Sequence, residues 1–190
     1  MSGWLSNLRL ILSTTAVVVP VTVTVLDIFG YVARVEGASM QPALNPKEER
    51  GADYVFLNKW KIRNYQFQRG EVVALMNPAD PEQKMIKRIV ALEGDTVKTL
   101  SFKNKYIKVR DGHCWLEGDN HSHSLDSNLF GPISQGLITA KASHIVWPPH
   151  RMGRLRVIEE NENRVTKHSL YNQEIIRQLR EIREMEREDI

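Results

Sequence analysis

At 190 residues, with 26 Lys and Arg against 23 Asp and Glu, the chain is long enough for one domain with a substantial core plus appendages. Residues 1–150 carry 17 basic and 14 acidic side chains and residues 151–190 nine of each, so the small basic excess belongs to the body of the chain and does not by itself point to nucleic acid. The single cysteine, Cys114, excludes an internal disulfide and a multi-cysteine zinc site.

Leu10 to Leu26 is a run of 17 uncharged residues, 11 of them aliphatic or Ala, interrupted by Pro20 and several Thr and Ser. As a helix it spans roughly 25 Å, a little short of the ~30 Å hydrocarbon core of a membrane. Continuation through Tyr31 to Ala33 reaches that length and puts Asp27 near the far interface, with a kink expected at Pro20. Residues 1–33 are therefore expected to form a membrane anchor. Two other expectations compete: a strand over Val21-Thr22-Val23-Thr24-Val25, and a cleaved targeting peptide. A transit peptide should be Arg-rich, and only Arg9 precedes Arg34. With one basic residue on each side, charge bias leaves the orientation undecided.

Residues 34–150 read as a β-rich domain. After a polar turn at Asn45 to Arg50, strand-like runs follow at Asp53–Leu57, Glu71–Met76, Lys84–Val90, Thr96–Leu100, Tyr106–Arg110, Cys114–Glu117 and Ile145–Trp147. They are short, rich in Val, Ile and aromatics, and separated by Gly, Pro, Asn or Asp. A mainly β fold is expected, an antiparallel sheet curled into a sandwich or partly closed barrel. Trp147-Pro148-Pro149 ends strand pairing. Residues 151–190 form a charged tail, with an amphipathic helix expected from Asn172 to Glu188 on an Ile175, Ile176, Leu179, Ile182 and Met185 stripe.

Two residues carry the candidate chemistry. Ser39 sits in Gly37-Ala38-Ser39-Met40-Gln41-Pro42, just past the hydrophobic stretch, and Lys87 sits in Met85-Ile86-Lys87-Arg88-Ile89-Val90. A serine hydroxyl becomes a nucleophile when a base takes its proton, and a lysine held neutral can be that base. On a strand, Lys87 shares its face with Met85 and Ile89 while Arg88 faces the other way. A lysine in water titrates near 10.4, so acting near neutral pH requires a fall of about three units, within what burial delivers. The Ser39 N–H is a candidate oxyanion donor.

A third segment, Gly118-Asp119-Asn120-His121-Ser122-His123-Ser124-Leu125-Asp126-Ser127-Asn128, completes a pattern. Ser-Met-x-Pro, Lys-Arg-Ile-Val-x-Leu-x-Gly-Asp and Gly-Asp-Asn-x-x-x-Ser-x-Asp-Ser, in that order after a hydrophobic anchor, resemble the type I signal peptidase family. The resemblance covers about residues 10–150. It lies within the family's mitochondrial inner-membrane branch, through Arg34 to Pro42, Pro81 to Lys84, Ala91 to Asp95, Asp126 to Asn128 with Phe130-Gly131-Pro132, and Trp147-Pro148-Pro149. It implies the coiled antiparallel β fold of signal peptidases, with Ser39 as nucleophile and Lys87 as general base. It further implies that Ser124 hydrogen-bonds the lysine amine and that Asp126 braces the loop. Val35, Met40, Leu44, Met85 and Ile86 are implied to line a cleft for substrates cut after small side chains. It also implies precursors with intermembrane-space sorting signals as substrates, a lipid bilayer, a homologous subunit 1 as heterodimer partner, no metal or organic cofactor, and a single-pass protein with its catalytic domain facing the intermembrane space.

The chain departs from the family in places. Gly37 stands where some members have a serine, leaving the second oxyanion donor unassigned. Asn128 stands where an arginine often follows the Asp-Ser pair; it can hydrogen-bond but cannot form an ion pair. Rival chemistries are a zinc site from His113, Cys114, His121 and His123, and a triad of Ser39 with His123 or His144 and an Asp. A third is single-stranded nucleic acid on Lys98, Lys103, Lys105, Lys108 and Arg110 with Phe102 and Tyr106. A catalytically silent membrane-anchored adaptor of the same fold is the alternative to an enzyme.

Overall fold

The computed structural model describes residues 2–47, 51–159 and 163–168. Helix α1, Ser2–Ile28, runs through Pro20 and takes in the Val-Thr alternation at 21–25. A lone strand there would leave its N–H and C=O groups unpaired, whereas a helix bonds them internally. The side chains described continuously within α1, 11–24, are all exposed. Among the described residues no helix is long and apolar enough to cross a membrane.

The expected extension of this helix to Ala33 is overturned. Gly30–Arg34 form strand β1, which pairs antiparallel with β2, Tyr54–Asn58. Gly30 makes the transition, at φ +136° with the Leu57 carbonyl oxygen only 2.1 Å from where a Cβ would sit. The sheet therefore begins inside the stretch expected to be anchor.

The remaining strands are β3 Val72–Met76, β4 Lys84–Ala91, β5 Thr96–Lys98, β6 Tyr106–Lys108, β7 His113–Glu117, β8 Ile133–Ser134, β9 Ile138–Trp147, β10 Gly153–Arg154 and β11 Val165–Thr166. A four-residue helix α2, Ser127–Phe130, precedes β8. Each of the seven expected runs holds a strand. β9 starts seven residues before the expected Ile145, because Ile138, Ala140 and Ala142 are buried and alternate with half-buried polar residues between two neighbouring strands.

The main sheet runs β1-β2-β9-β3-β4-β7-β8, with β10 on β9, and β11-β5-β6 form a second sheet. Register shifts interrupt the β2–β9, β3–β9 and β4–β7 ladders. Such bulges strengthen local twist and curl the sheet. β3 is buried on both faces: Val72 and Ala74 join one core with Val35, Met40, Leu44, Val55 and Leu57, while Val73 and Leu75 join another with Ile89, Cys114 and Leu116. A third core gathers Trp115, Val90, Val97, Val109 and Val165.

The described part of the tail is a strap over this body. The Ile158 N–H reaches the Gly70 carbonyl, β11 pairs with β5, and the His168 N–H donates to Asp95. The amphipathic helix expected at 172–188 lies outside the described residues.

Asp95 is fully buried and accepts a fork from Arg69 at 2.6 and 2.7 Å. Burial opposes its ionisation, but Arg69 and the Leu92 and His168 N–H donors outweigh that and hold its carboxyl below the ordinary 3.8. A depressed carboxyl gives stability that is present above its unfolded value and is lost as pH falls through its folded one. Asp95→Asn is therefore expected to cost about 3 kcal/mol at neutral pH, as for other broken buried pairs. Thermal unfolding at a series of pH values should find the difference from the unaltered chain narrowing below pH 3.8. A difference that stays constant across that range would show that Asp95 does not stabilise the fold through its charge.

Candidate active site

The turn holding Ser39 follows β1 and is clamped from both ends. The Gln41 N–H bonds the Ala38 carbonyl and the Leu44 N–H the Met40 carbonyl, closing the turn around the serine. Asn45, at φ +50°, exchanges bonds with Asp53 at 2.7 Å in both directions and donates its side chain to the Val35 and Gly37 carbonyls. Asp53 in turn takes two bonds of 3.0 Å from Arg151, which also reaches the Ala43 carbonyl. On the other side, Asn120 donates its backbone N–H to the Ser39 carbonyl at 3.0 Å and its side chain to the Ala38 carbonyl at 3.1 Å. Among the described residues the Ser39 N–H has no acceptor.

Lys87 lies on β4 with 3% of its surface exposed. Its amine donates to Ser124 Oγ at 3.1 Å, and Ser124 donates to Asp126 Oδ2 at 2.6 Å. Burial pushes the amine below its ordinary 10.5, against an opposing pull from the Asp126 carboxylate. Among the described residues Lys87 forms no ion pair and no hydrogen bond to Ser39. Asp126 also accepts from the Gly118 N–H and from Asn128 through its backbone and side chain. Gly118 is the point of closest approach, since a Cβ there would sit 2.3 Å from the Ser39 carbonyl oxygen and 2.4 Å from Ser124 Oγ.

Ser39 and Lys87 line one cleft of about 420 Å³, open between β1 and the first half of β4. There β4 pairs only with β3, because its pairing with β7 begins at Arg88. Val35, Met85 and Ile86 are among the residues that line the cleft. Met40 and Leu44 do not: the turn after Ser39 directs both into the core, where they are 2% and 1% exposed. Arg88, on the opposite face from Lys87, makes a bidentate pair with Asp119 at 2.7 Å.

The rival constellations do not assemble. Cys114 is buried, its sulfur faces the Ile133 carbonyl, and burial pushes its thiol up to about 12, while His121 and His123 sit on an exposed 3-10 turn. Among the described residues no cluster of three such ligands could hold a metal. His123 bonds its neighbour Ser122, His144 bonds Ser143, and neither lines the Ser39 cleft. Phe102 packs edge-on against buried Trp115 at 5.8 Å, which removes it from any base-stacking surface. The supporting residues Asn45, Asp53, Gly118, Asn120 and Arg151 escaped sequence reasoning. Only Gly118 and Asn120 carried a signal, as members of the third segment.

The cleft is lined by Ser39 and the buried Lys87, with Ser124 and Asp126 hydrogen-bonded in series behind the amine. The family described as "Signal peptidase, peptidase S26" matches residues 6–107 and 98–147, and the chain belongs to it. It is thus a serine peptidase of the signal peptidase type. Its relatives include mitochondrial inner membrane protease subunit 2 of Danio rerio, 60% identical over 139 residues, which cover 73% of this chain and 76% of that protein. Subunit 2 of Homo sapiens is 53% identical over 142 residues, covering 75% and 81%. Subunit 1 of Homo sapiens is 38% identical over 130 residues, covering 67% and 75%. Within one organism, then, the likeness to subunit 2 exceeds that to subunit 1.

Gly118→Ala should force Ser39 and Ser124 apart and reduce peptidase activity by about 100-fold, the scale of a 1 Å misplacement. Gly136→Ala, whose Cβ meets only Ser134 Oγ at 3.5 Å, is the control expected to stay near the unaltered rate. Equal activities in a cleavage assay of the two folded variants would contradict the close packing at Gly118.

Proposed function

We propose that the chain is a membrane-anchored endopeptidase that removes intermembrane-space sorting peptides from mitochondrial precursors, with Ser39 as nucleophile and Lys87 as general base. One observation carries this: a lysine withdrawn from water, without an ion-pair partner among the described residues, lines the same cleft as a half-buried serine. Hydrogen-bond polarity supports the role. The Ser124 proton is committed to the Asp126 carboxylate, so Ser124 can only accept from the amine. A neutral Lys87 then keeps its lone pair for Ser39, whose contact tightens when substrate enters.

The Ser39 Oγ–carbon bond forms as its proton passes to Lys87, and the Ser39 N–H stabilises the oxyanion. Collapse breaks the carbon–nitrogen bond, and the Lys87 ammonium protonates the departing amine. Water, deprotonated by Lys87, then hydrolyses the acyl-enzyme. The half-paired β4 edge suits an extended substrate segment. Walls of Ala33, Val35, Val55, Ala74 and Ile86 suit short apolar side chains.

The anchor rests on separate support. The uncharged run 10–26 lies within α1, and the apolar side chains described there are exposed. Where α1 meets the domain, Phe29 stacks on Trp60 at 5.7 Å and the Arg63 guanidinium covers Trp60, an aromatic and basic surface suited to lipid headgroups. The relatives' names place them at the mitochondrial inner membrane, which supports that location for this chain, proposed here as a single-pass protein facing the intermembrane space. The existence of a related subunit 1 supports a heterodimer.

Cleavage of a sorting precursor, with any subunit 1 present inactivated at its nucleophile, tests the chemistry. Ser39→Ala and Lys87→Ala should both abolish it, and Lys87→Arg should be as inactive as Lys87→Ala because arginine keeps its proton. In the unaltered chain the rate should rise with pH as Lys87 deprotonates, with its midpoint below 10.5. Activity surviving in Lys87→Arg would rule out the lysine base. Inactivity of every form would favour the silent adaptor.

The membrane setting is tested in isolated mitochondria. The chain should resist carbonate extraction, become protease-sensitive once the outer membrane is opened, and co-purify with subunit 1. Release by carbonate would refute the anchor, protection after opening would refute the orientation, and failure to co-purify would refute the partner.

A further inference from the structure

Arg164 lies on the strap beyond residue 147, where the family match ends. Its backbone is fixed by the Lys98 N–H, which donates to its carbonyl at 2.8 Å, and by the neighbouring Val165, which is buried and registered against Val97. Its side chain donates to Glu117 Oε1 at 2.5 Å. Glu117 is 1% exposed, and the same oxygen accepts from Trp115 Nε1 at 2.7 Å and from Asn128 Nδ2 at 2.9 Å. Asn128 Nδ2 also donates to Asp126 Oδ1 at 3.2 Å, and Asn128 Oδ1 accepts from the Leu100 N–H, which fixes which way the amide points.

One amide therefore bridges two buried carboxylates, Glu117 and Asp126, and a guanidinium closes the far end of the bridge. Without that cation the two negative charges face each other across a single nitrogen in a dry setting, where repulsion is costly, and His121 Nδ1, 3.7 Å from the other Glu117 oxygen, offsets them only when protonated. The near end of the bridge is the Ser124–Lys87 contact. We infer that Arg164 is a positioning residue of the active site, acting through Glu117 and Asn128 to hold Asp126, and with it Ser124 and Lys87, in one arrangement. This rests on the Ser39–Lys87 assignment.

The signs follow from charge. Removing the Arg164 cation leaves more negative potential near Lys87 and favours its protonated form; removing the Glu117 anion does the opposite. Arg164→Gln in the full chain should lower kcat for precursor cleavage about tenfold, as a displaced catalytic group does, with KM within about twofold. The ascending limb of its pH–rate profile should move to higher pH. Arg164→Lys should recover most of the loss. Glu117→Gln, which keeps an acceptor oxygen for Trp115 and Asn128, should move the limb to lower pH. Val165→Ala loosens the same strand without touching the bridge, so it should leave the limb in place at a comparable loss of Tm.

A limb unmoved in Arg164→Gln or Glu117→Gln, whichever folds, overturns the inference. So does Val165→Ala reproducing the effect, since the strap would then act only through stability. Ser39→Ala and Lys87→Ala run beside these variants: activity surviving in them refutes the Ser-Lys assignment itself. Their inactivity with an unmoved Arg164→Gln limb refutes the Arg164 role alone.

Discussion

An amine taken out of water must lose its proton or find an anion, and Lys87 sits at the balance between the two. Strand β4 carries it into the sheet, where desolvation favours the neutral form, while Asp126 pulls the other way. Ser124 stands between them. Because its own proton is spent on Asp126, the carboxylate governs the lysine through a hydroxyl instead of neutralising it in a salt bridge. Direct pairing with a carboxylate would favour the charged ammonium, which has no lone pair for the role proposed for Lys87.

Much of the surrounding structure keeps that balance dry and fixed. Bulged ladders curl the sheet so that β1 approaches the half-paired start of β4, and the cleft is the gap between them. Three buried ion pairs tie loops to this frame: Asp53–Arg151 beneath the Ser39 turn, Arg88–Asp119 beside the third segment, and Arg69–Asp95 under the strap. Such pairs add little net stability against hydrophobic replacements, but breaking one strands a buried charge. Their evident use here is registration. Each joins residues at least 26 positions apart in sequence, and two of them seat the segments that carry Ser39 and Ser124.

The N-terminal helix follows a different logic. α1 bonds its own backbone and leaves the side chains of residues 11–24 exposed. The change from helix to strand is made by Gly30, whose missing Cβ lets the Leu57 carbonyl approach. That one residue separates a helix that bonds its own backbone from a strand that pairs with β2.

The sequence by itself determined the β class and the seven strand runs, and it singled out Ser39, Lys87, Ser124 and Asp126, which the fold then gathers around one cleft. Alternation and turn residues are local signals, and the three segments are contiguous in the chain. It also marked Val35, Met85 and Ile86 for the cleft, since β4 alternation and nearness to Ser39 are readable along the chain. It misassigned Met40 and Leu44, because a tight turn sends neighbouring side chains to opposite sides and only the packed core decides which go under. It ran the helix into β1, since Tyr31 to Ala33 are apolar enough for either state and β2 supplies the deciding partner. Only the tertiary structure could bring Asn45 and Arg151 to Asp53, Gly118 between two serines, and Arg164 to Glu117. Those contacts join distant stretches, and their residue types are ordinary until the folded sheet sets them side by side.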